Sequence, residues 1–132
     1  MGKEDKELLL KDLCARLPYG VKCNYNYNNE IYNIDYISAL YEEVKLDIPN
    51  NYTIGISEVK PYLRPMSSMT EEERVEYFYN RMTSWAQNEF GESYTEAVMQ
   101  YRIDFLLEHH FDYRGLIEKG LALEAPEGMY LY

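Results

Sequence analysis

The stretch "VKCNYNYNNEIYNIDYISAL", residues 21 to 40, decides the fold. Apolar or aromatic residues alternate with polar ones. Val21, Cys23, Tyr25 and Tyr27 hold one register, followed by Ile31, and then Tyr32, Ile34 and Tyr36 hold a shifted one. A period of two is that of a strand with one face covered. Asn28 and Asn29 divide the runs where a tight turn needs positive φ, which asparagine tolerates. Two further short runs, "EEVKLDI" (42–48) and "YTIGISEV" (52–59), flank "PNN" at 49–51. The middle of the chain is therefore expected to be a three- to five-strand antiparallel meander, or a small curled barrel.

Outside this region the period changes to that of helices. "EDKELLLKDLCARL" (4–17) places Leu9, Leu13 and Leu17 on one stripe with Leu10 and Cys14 beside it. Lys6, Lys11 and Asp12 take the other side, and Pro18 and Gly20 end the helix. "KPYLRPMSSM" (60–69) is expected to be irregular, because Pro61 and Pro65 exclude a helix and push their predecessors to extended conformations. Thr70 and Glu73 then form a capping box opening "TEEERVEYFYNRMTSWAQNEF" (70–90), with Val75, Phe78, Met82 and Trp85 on its apolar stripe. "ESYTEAVMQYRIDFLLEHH" (92–110) carries two stripes, Ala97, Val98, Tyr101 and Phe105, and Ile103, Leu106 and Leu107. Asp112 suits the cap of a short last helix, "YRGLIEK" (113–119), ended by Gly120, after which "LALEAP" (121–126) lies against the sheet edge. The fold class is α+β: an N-terminal helix, the β-rich middle, then two to three C-terminal helices. Residues 1–132 form one domain, with no repeat and no Gly-, Ser- or Pro-rich linker.

The chain of 132 residues is 46% hydrophobic, enough for a core without staples. Its aromatic content is mostly tyrosine, 15 against 4 Phe and 1 Trp, a residue that suits half-buried sheet faces and recognition surfaces. The net charge is −10, and the excess of carboxylates falls after the first helix. A field of this sign repels nucleic acid and anionic membrane and steers a basic protein partner. No apolar run approaches the roughly 18 residues of a membrane span and no signal peptide opens the chain, so a cytoplasmic protein is expected. Cys14 and Cys23 then read as reduced, small core residues.

"EHHFDYRGLIEKG" (108–120) gathers acids, histidines, a tyrosine and an arginine. Adjacent His109 and His110 point about 100° apart on a helix and cannot readily share a metal, and the i, i+4 spacing of a two-histidine metal helix is absent. They suit the negative end of a helix dipole instead. No nucleophile elbow, Walker loop or marked carboxylate pair stands out, so no catalytic residue, metal or cofactor is assigned. What remains is a set of basic groups beside tyrosines at bends: Arg16, Tyr19 and Lys22; Lys60, Tyr62 and Arg64; Tyr113 and Arg114. Arginine offers forked donors to a carboxylate or phosphate, and tyrosine a stacking face. Brought together, these residues would bind a small anionic ligand or a partner. The alternative is that each arginine pairs with a neighbouring carboxylate.

Three segments, "LLLKDLCARLPYGVK" (8–22), "VKPYLRPMSSMTEEE" (59–73) and "HHFDYRGLIEKGLALEAPEGMY" (109–130), resemble recurring blocks of a family of small uncharacterised proteins of phages, prophages and mobile elements of gut bacteria. The resemblance implies no activity. It implies a context, an accessory protein made in the bacterial host cytoplasm. The first expectation is a non-catalytic protein that binds and modulates a host component, for instance in counter-defence. A nucleotide or cyclic-nucleotide binder is the alternative and a small hydrolase the last; a homodimer is left open.

Overall fold

A computed structural model describes residues 1–25, 30–48, 53–79 and 94–130. Among them, α1 (Lys3–Arg16) is followed by β1 (Lys22–Tyr25), β2 (Tyr32–Ser38), β3 (Glu43–Leu46), β4 (Ile54–Gly55) and β5 (Val59–Leu63). Two further helices, α2 (Glu71–Tyr79) and α3 (Tyr94–Glu108), precede β6 (Leu123–Glu124). The class is α+β, with strand order β4-β3-β2-β1-β5-β6. All neighbours are antiparallel except β5 and β6, which run parallel.

The connection from β4 to β5 sets the shape of the sheet. These strands stand four positions apart in the order, about 19 Å if the sheet were flat. Gly55 and Val59 are joined by a single 3-10 turn, Ile56–Glu58. Four Cα steps reach at most about 15 Å, and a 3-10 turn far less. The sheet must curl, so that its edge strand β4 approaches β5.

The hollow of that curl holds the main core. Val21, Cys23, Ile34, Val44, Leu46, Ile54, Ile56, Val59 and Leu63 pack with Leu9 and Leu13 of α1 and with Leu116, Leu121 and Ala122. A second cluster, Phe105, Leu106 and Phe111, lies at the end of α3. A bulge interrupts β2, where Ile34 pairs with Leu46 and Tyr36 with Lys45. The extra residue, Asp35, moves the inward face from Ile34 to Ile37, which explains why Tyr36 is exposed although it continues the alternation.

Several expectations need correction. The stretch 60–69 is not irregular throughout, because its first half is β5, an interior strand. Pro61 is tolerated there for a definite reason. The Tyr62 carbonyl faces the β1 side, since it is bridged to Lys22 through the Tyr130 hydroxyl. Strand alternation turns the Pro61 nitrogen the other way, where pairing with β6 starts only at Tyr62–Leu123. The run 52–59 is no single strand; its centre is the 3-10 turn. The last helix does not form over 113–119, because Gly115 adopts φ +74 and leaves one turn at 116–120. Asp112 still caps that turn, accepting from the Leu116 and Ile117 amides at 2.9 Å each.

Cys14 is exposed, whereas Asp12 is fully buried. The covered face of α1 is Leu9, Asp12, Leu13 and Arg16, so half of it is charged. On α2, Val75 and Phe78 are exposed, and the covered side holds Glu73 and Tyr77. On α3, Val98, Phe105, Leu106 and Leu107 are buried and Ile103 is exposed. The Asn28–Asn29 reversal, "PNN" at 49–51, and the stripe positions Met82 and Trp85 lie outside the described residues. The capping box is present as expected: the Glu73 amide donates to Thr70 Oγ1 (3.1 Å) and the Thr70 amide to Glu73 Oε1 (2.9 Å).

Candidate functional site

Of the three bends singled out in the sequence, Arg16 and Arg64 contact Phe111, and Tyr113 and Arg114 contact Arg16 and Asp12. Helix α3 closes at Phe111 in a Schellman turn. The Phe111 amide donates to the Leu106 carbonyl (2.8 Å) and His110 donates to Leu107 (3.1 Å), with His110 at φ +66. Phe111 packs back on Phe105 and Leu106, the hydrophobic contact this motif favours. The same closure recurs at Gly120, where the Leu121 amide reaches the Leu116 carbonyl. Glycine occupies the left-handed position in the second turn without penalty; histidine in the first costs about 1 kcal/mol. His110 is held there by its ring, stacked on Tyr130 at 3.7 Å and 11°.

Arg16 reaches this centre from α1 and is 0% exposed. Its Nε and Nη2 bind the two oxygens of Asp12 at 2.7 and 3.2 Å, and Nη2 also donates to the Phe111 carbonyl at 2.6 Å. Arg64 reaches it from the end of β5 and is 1% exposed. It forks onto Glu73 at 2.7 Å through each nitrogen, donates to the Ser68 carbonyl at 3.2 Å, and lies 4.1 Å over the Phe111 ring. Arg114 Nε stands 3.2 Å from Asp12, and its Nη2 donates to the Tyr113 hydroxyl at 2.8 Å. Tyr113 lies under both Arg16 and Arg114, at 5.8 and 5.0 Å from the guanidinium carbons.

Burial and charge together set the titration of the surrounding groups. Burial works to raise the Glu73 pKa, but hydrogen bonds from Arg64 and Thr70 and the charge of Arg64 outweigh it, holding the carboxyl at about 2. His110 is pushed down to about 4, first by burial and then by Arg16, His109, Arg64 and Lys22, so it is neutral at pH 7. Burial raises the Tyr130 phenol to about 12. It also lifts the Cys23 thiol to about 12, which makes that cysteine inert.

Tyr130 marks a fork in the sheet. The register Cys23–Pro61 would next bring Lys22 opposite Tyr62. The Tyr130 hydroxyl stands between them, accepting from the Lys22 amide (3.2 Å) and donating to the Tyr62 carbonyl (2.7 Å). Beyond that point residues 110–112 replace β1 beside β5. Arg64 donates to the His110 carbonyl and Asp112 to the Arg64 carbonyl, both at 2.8 Å. Sequence reasoning missed Asp12, Phe111 and Tyr130. Asp12 and Arg16 carried a signal, since i, i+4 opposite charges on a helix can pair.

The sequence candidates thus fall into two groups. Arg16, Arg64, Tyr113 and Arg114 are assembled around Phe111 and the carboxylates of Asp12 and Glu73; Arg64 also lines a hollow of about 330 Å³ with Pro65, Ser68, Thr70, Glu124, Ala125 and Glu127. The bends of Lys22 and Tyr62 are tied together through Tyr130. Lys60 pairs opposite Asn24 within the sheet, and Tyr19 is exposed in the 3-10 turn after α1. Arg16 and Arg64 are buried and paired with Asp12 and Glu73, while Arg16 Nη1 is buried with no hydrogen-bond partner among the described residues.

A separate cleft of about 380 Å³ lies between α2 and α3, walled by Glu72, Glu73, Glu76 and Glu108 with Tyr101, Phe105 and His109. His109 Nδ1 is 3.4 Å from Glu73 and its ring packs on Phe105 at 4.3 Å. Among the described residues no group of three or more His, Cys, Asp or Glu is placed to hold a metal ion, and no helix is long and apolar enough to cross a membrane. The chain matches no family model, no curated protein and no solved structure.

Proposed function

We propose that this chain is a non-catalytic accessory protein that binds and modulates a basic component of its bacterial host, in the cytoplasmic setting that its sequence resemblance implies. One observation carries the reading. The guanidiniums of Arg16 and Arg64 are turned inward onto Asp12 and Glu73, in a molecule whose carboxylates exceed its basic groups by ten. Such a field accelerates encounter with a positively charged protein and discourages anionic ligands. His110 and Glu73 support the non-catalytic part, since each has a structural task, one closing a helix and the other capping one.

The test is affinity capture with the immobilised intact chain in gut-bacterial lysate. One basic protein should be retained at ~0.05 M salt and released progressively toward ~0.5 M, as screening shortens the field. A thermal-shift panel of nucleotides and cyclic nucleotides should leave the melting temperature unchanged. A shift of several degrees with any of them, or retention that does not depend on salt, would overturn the proposal.

A further inference from the structure

Resting on that partner-binding reading, we infer that the turn between β2 and β3, Ala39–Glu42, is a docking plug that inserts into an apolar hollow rimmed by lysine or arginine on a basic protein. Leu40 is 82% exposed, Tyr41 71%, and Tyr36 on the adjoining strand 54%. Solvent gains nothing from such residues, and a turn is better made from Gly, Asn, Asp or Ser. Their carbon surface is available to a partner.

The turn is also held in shape before any partner arrives. Ser38 Oγ accepts from the Tyr41 amide at 3.2 Å. The Ile56 amide donates to the Glu42 carbonyl at 2.9 Å, tying the turn to the 3-10 turn that curls the sheet. Ser38 pairs with Glu43 at the end of the ladder. Glu42 is kept at φ +52, a conformation that glycine or asparagine would adopt at less cost. A strained, pinned turn that displays a leucine and a tyrosine loses little entropy on binding.

Charge selects the occupant. Asp35, Glu42 and Glu43 lie around the tip against two lysines, Lys6 at 4.0 Å from Glu42 and Lys45 opposite Tyr36, so the local balance is negative. An apolar tip within a carboxylate rim complements an apolar hollow within a cationic rim. A second copy would bring equal charges together, in a molecule already at −10, and an anionic lipid or nucleic-acid surface would be repelled.

The experiment replaces Tyr41 with the photo-crosslinking residue p-benzoylphenylalanine in the intact chain, with Tyr19 replaced likewise as the control, and irradiates each in the same lysate. The adduct should form from position 41, not 19, and join the basic protein retained in affinity capture. Leu40→Asp should weaken retention of that protein at least ~10-fold, while Leu40→Met retains it. Both variants should keep the wild-type urea midpoint, because position 40 lies outside the core. Adducts with a second copy, with nucleic acid or with lipid would overturn the plug. So would equal retention of the basic protein by wild type and Leu40→Asp, an outcome that leaves partner binding standing and moves it to another face. If the wild type retains no protein, the plug and the function fall together.

Discussion

Replacing Glu73 by glutamine isolates the buried charge at the centre of the molecule. Glutamine keeps the length of the side chain and can still close the capping box with Thr70, so the helix start is preserved. What is removed is the charge facing Arg64, whose guanidinium stays 1% exposed with no carboxylate to hold it. The Glu73 pKa of about 2, against an ordinary 4.5, corresponds to roughly 3 kcal/mol at about 1.4 kcal/mol per pH unit. That agrees with the usual cost of about 3–5 kcal/mol for removing one partner of a buried pair. Urea unfolding at pH 7, followed by circular dichroism, should show this loss, with a melting temperature lowered by about 10 °C.

The pH dependence has a definite sign. Because the folded pKa lies below the unfolded one, the stabilisation is complete above about 4.5 and disappears as pH falls toward about 2. The difference between wild type and Glu73→Gln should therefore be flat from pH 7 to 5 and close below that. Adding Arg64→Met to Glu73→Gln should recover part of the loss, since the stranded cation is gone. A loss under ~1 kcal/mol at pH 7, a difference that persists to pH 2, or strict additivity of the two changes would refute the assignment.

Two further outcomes are expected. Tyr130→Phe removes the hydroxyl that bridges the Lys22 amide to the Tyr62 carbonyl, and should cost about 1–3 kcal/mol with faster hydrogen exchange at the Lys22 amide. His110 is neutral when folded, with its pKa near 4 against 6.5 when unfolded, so protonation favours the unfolded chain. Stability should decline as pH falls from about 6.5 to about 4, and His110→Gln should flatten that window in a denaturation series.

Local chemistry made much of this architecture legible without coordinates. The strands at Lys22–Tyr25 and Tyr32–Ser38, the helix carrying Leu9 and Leu13, and the Thr70–Glu73 box each depend on residues within a few positions, and each is present. The class α+β follows from the two periods alone. Where readings failed, a distant group had intervened. Pro61 reads as a breaker until the sheet shows that its nitrogen faces the side where pairing has not begun. Val75 and Phe78 looked like a core stripe, but what α2 buries is Glu73, because Arg64, just beyond β5, pairs with it.

The sequence alone determined the class and the start of α1, the first strands and α2, since period, caps and breakers act over one or two turns; it missed β5, the 3-10 turn at Ile56–Glu58 and the loss of a helix at 113–119. Only the tertiary structure decided what the arginines do. Asp12 and Glu73 lie close to them in sequence, but the segment that covers both pairs does not. That segment, Phe111 with its freed carbonyl and ring, is 95 residues away from Arg16. The counterions themselves are near in sequence, Asp12 four positions from Arg16 and Glu73 nine from Arg64; what the fold supplies is the burial that takes each pair out of water and makes the loss of either partner costly.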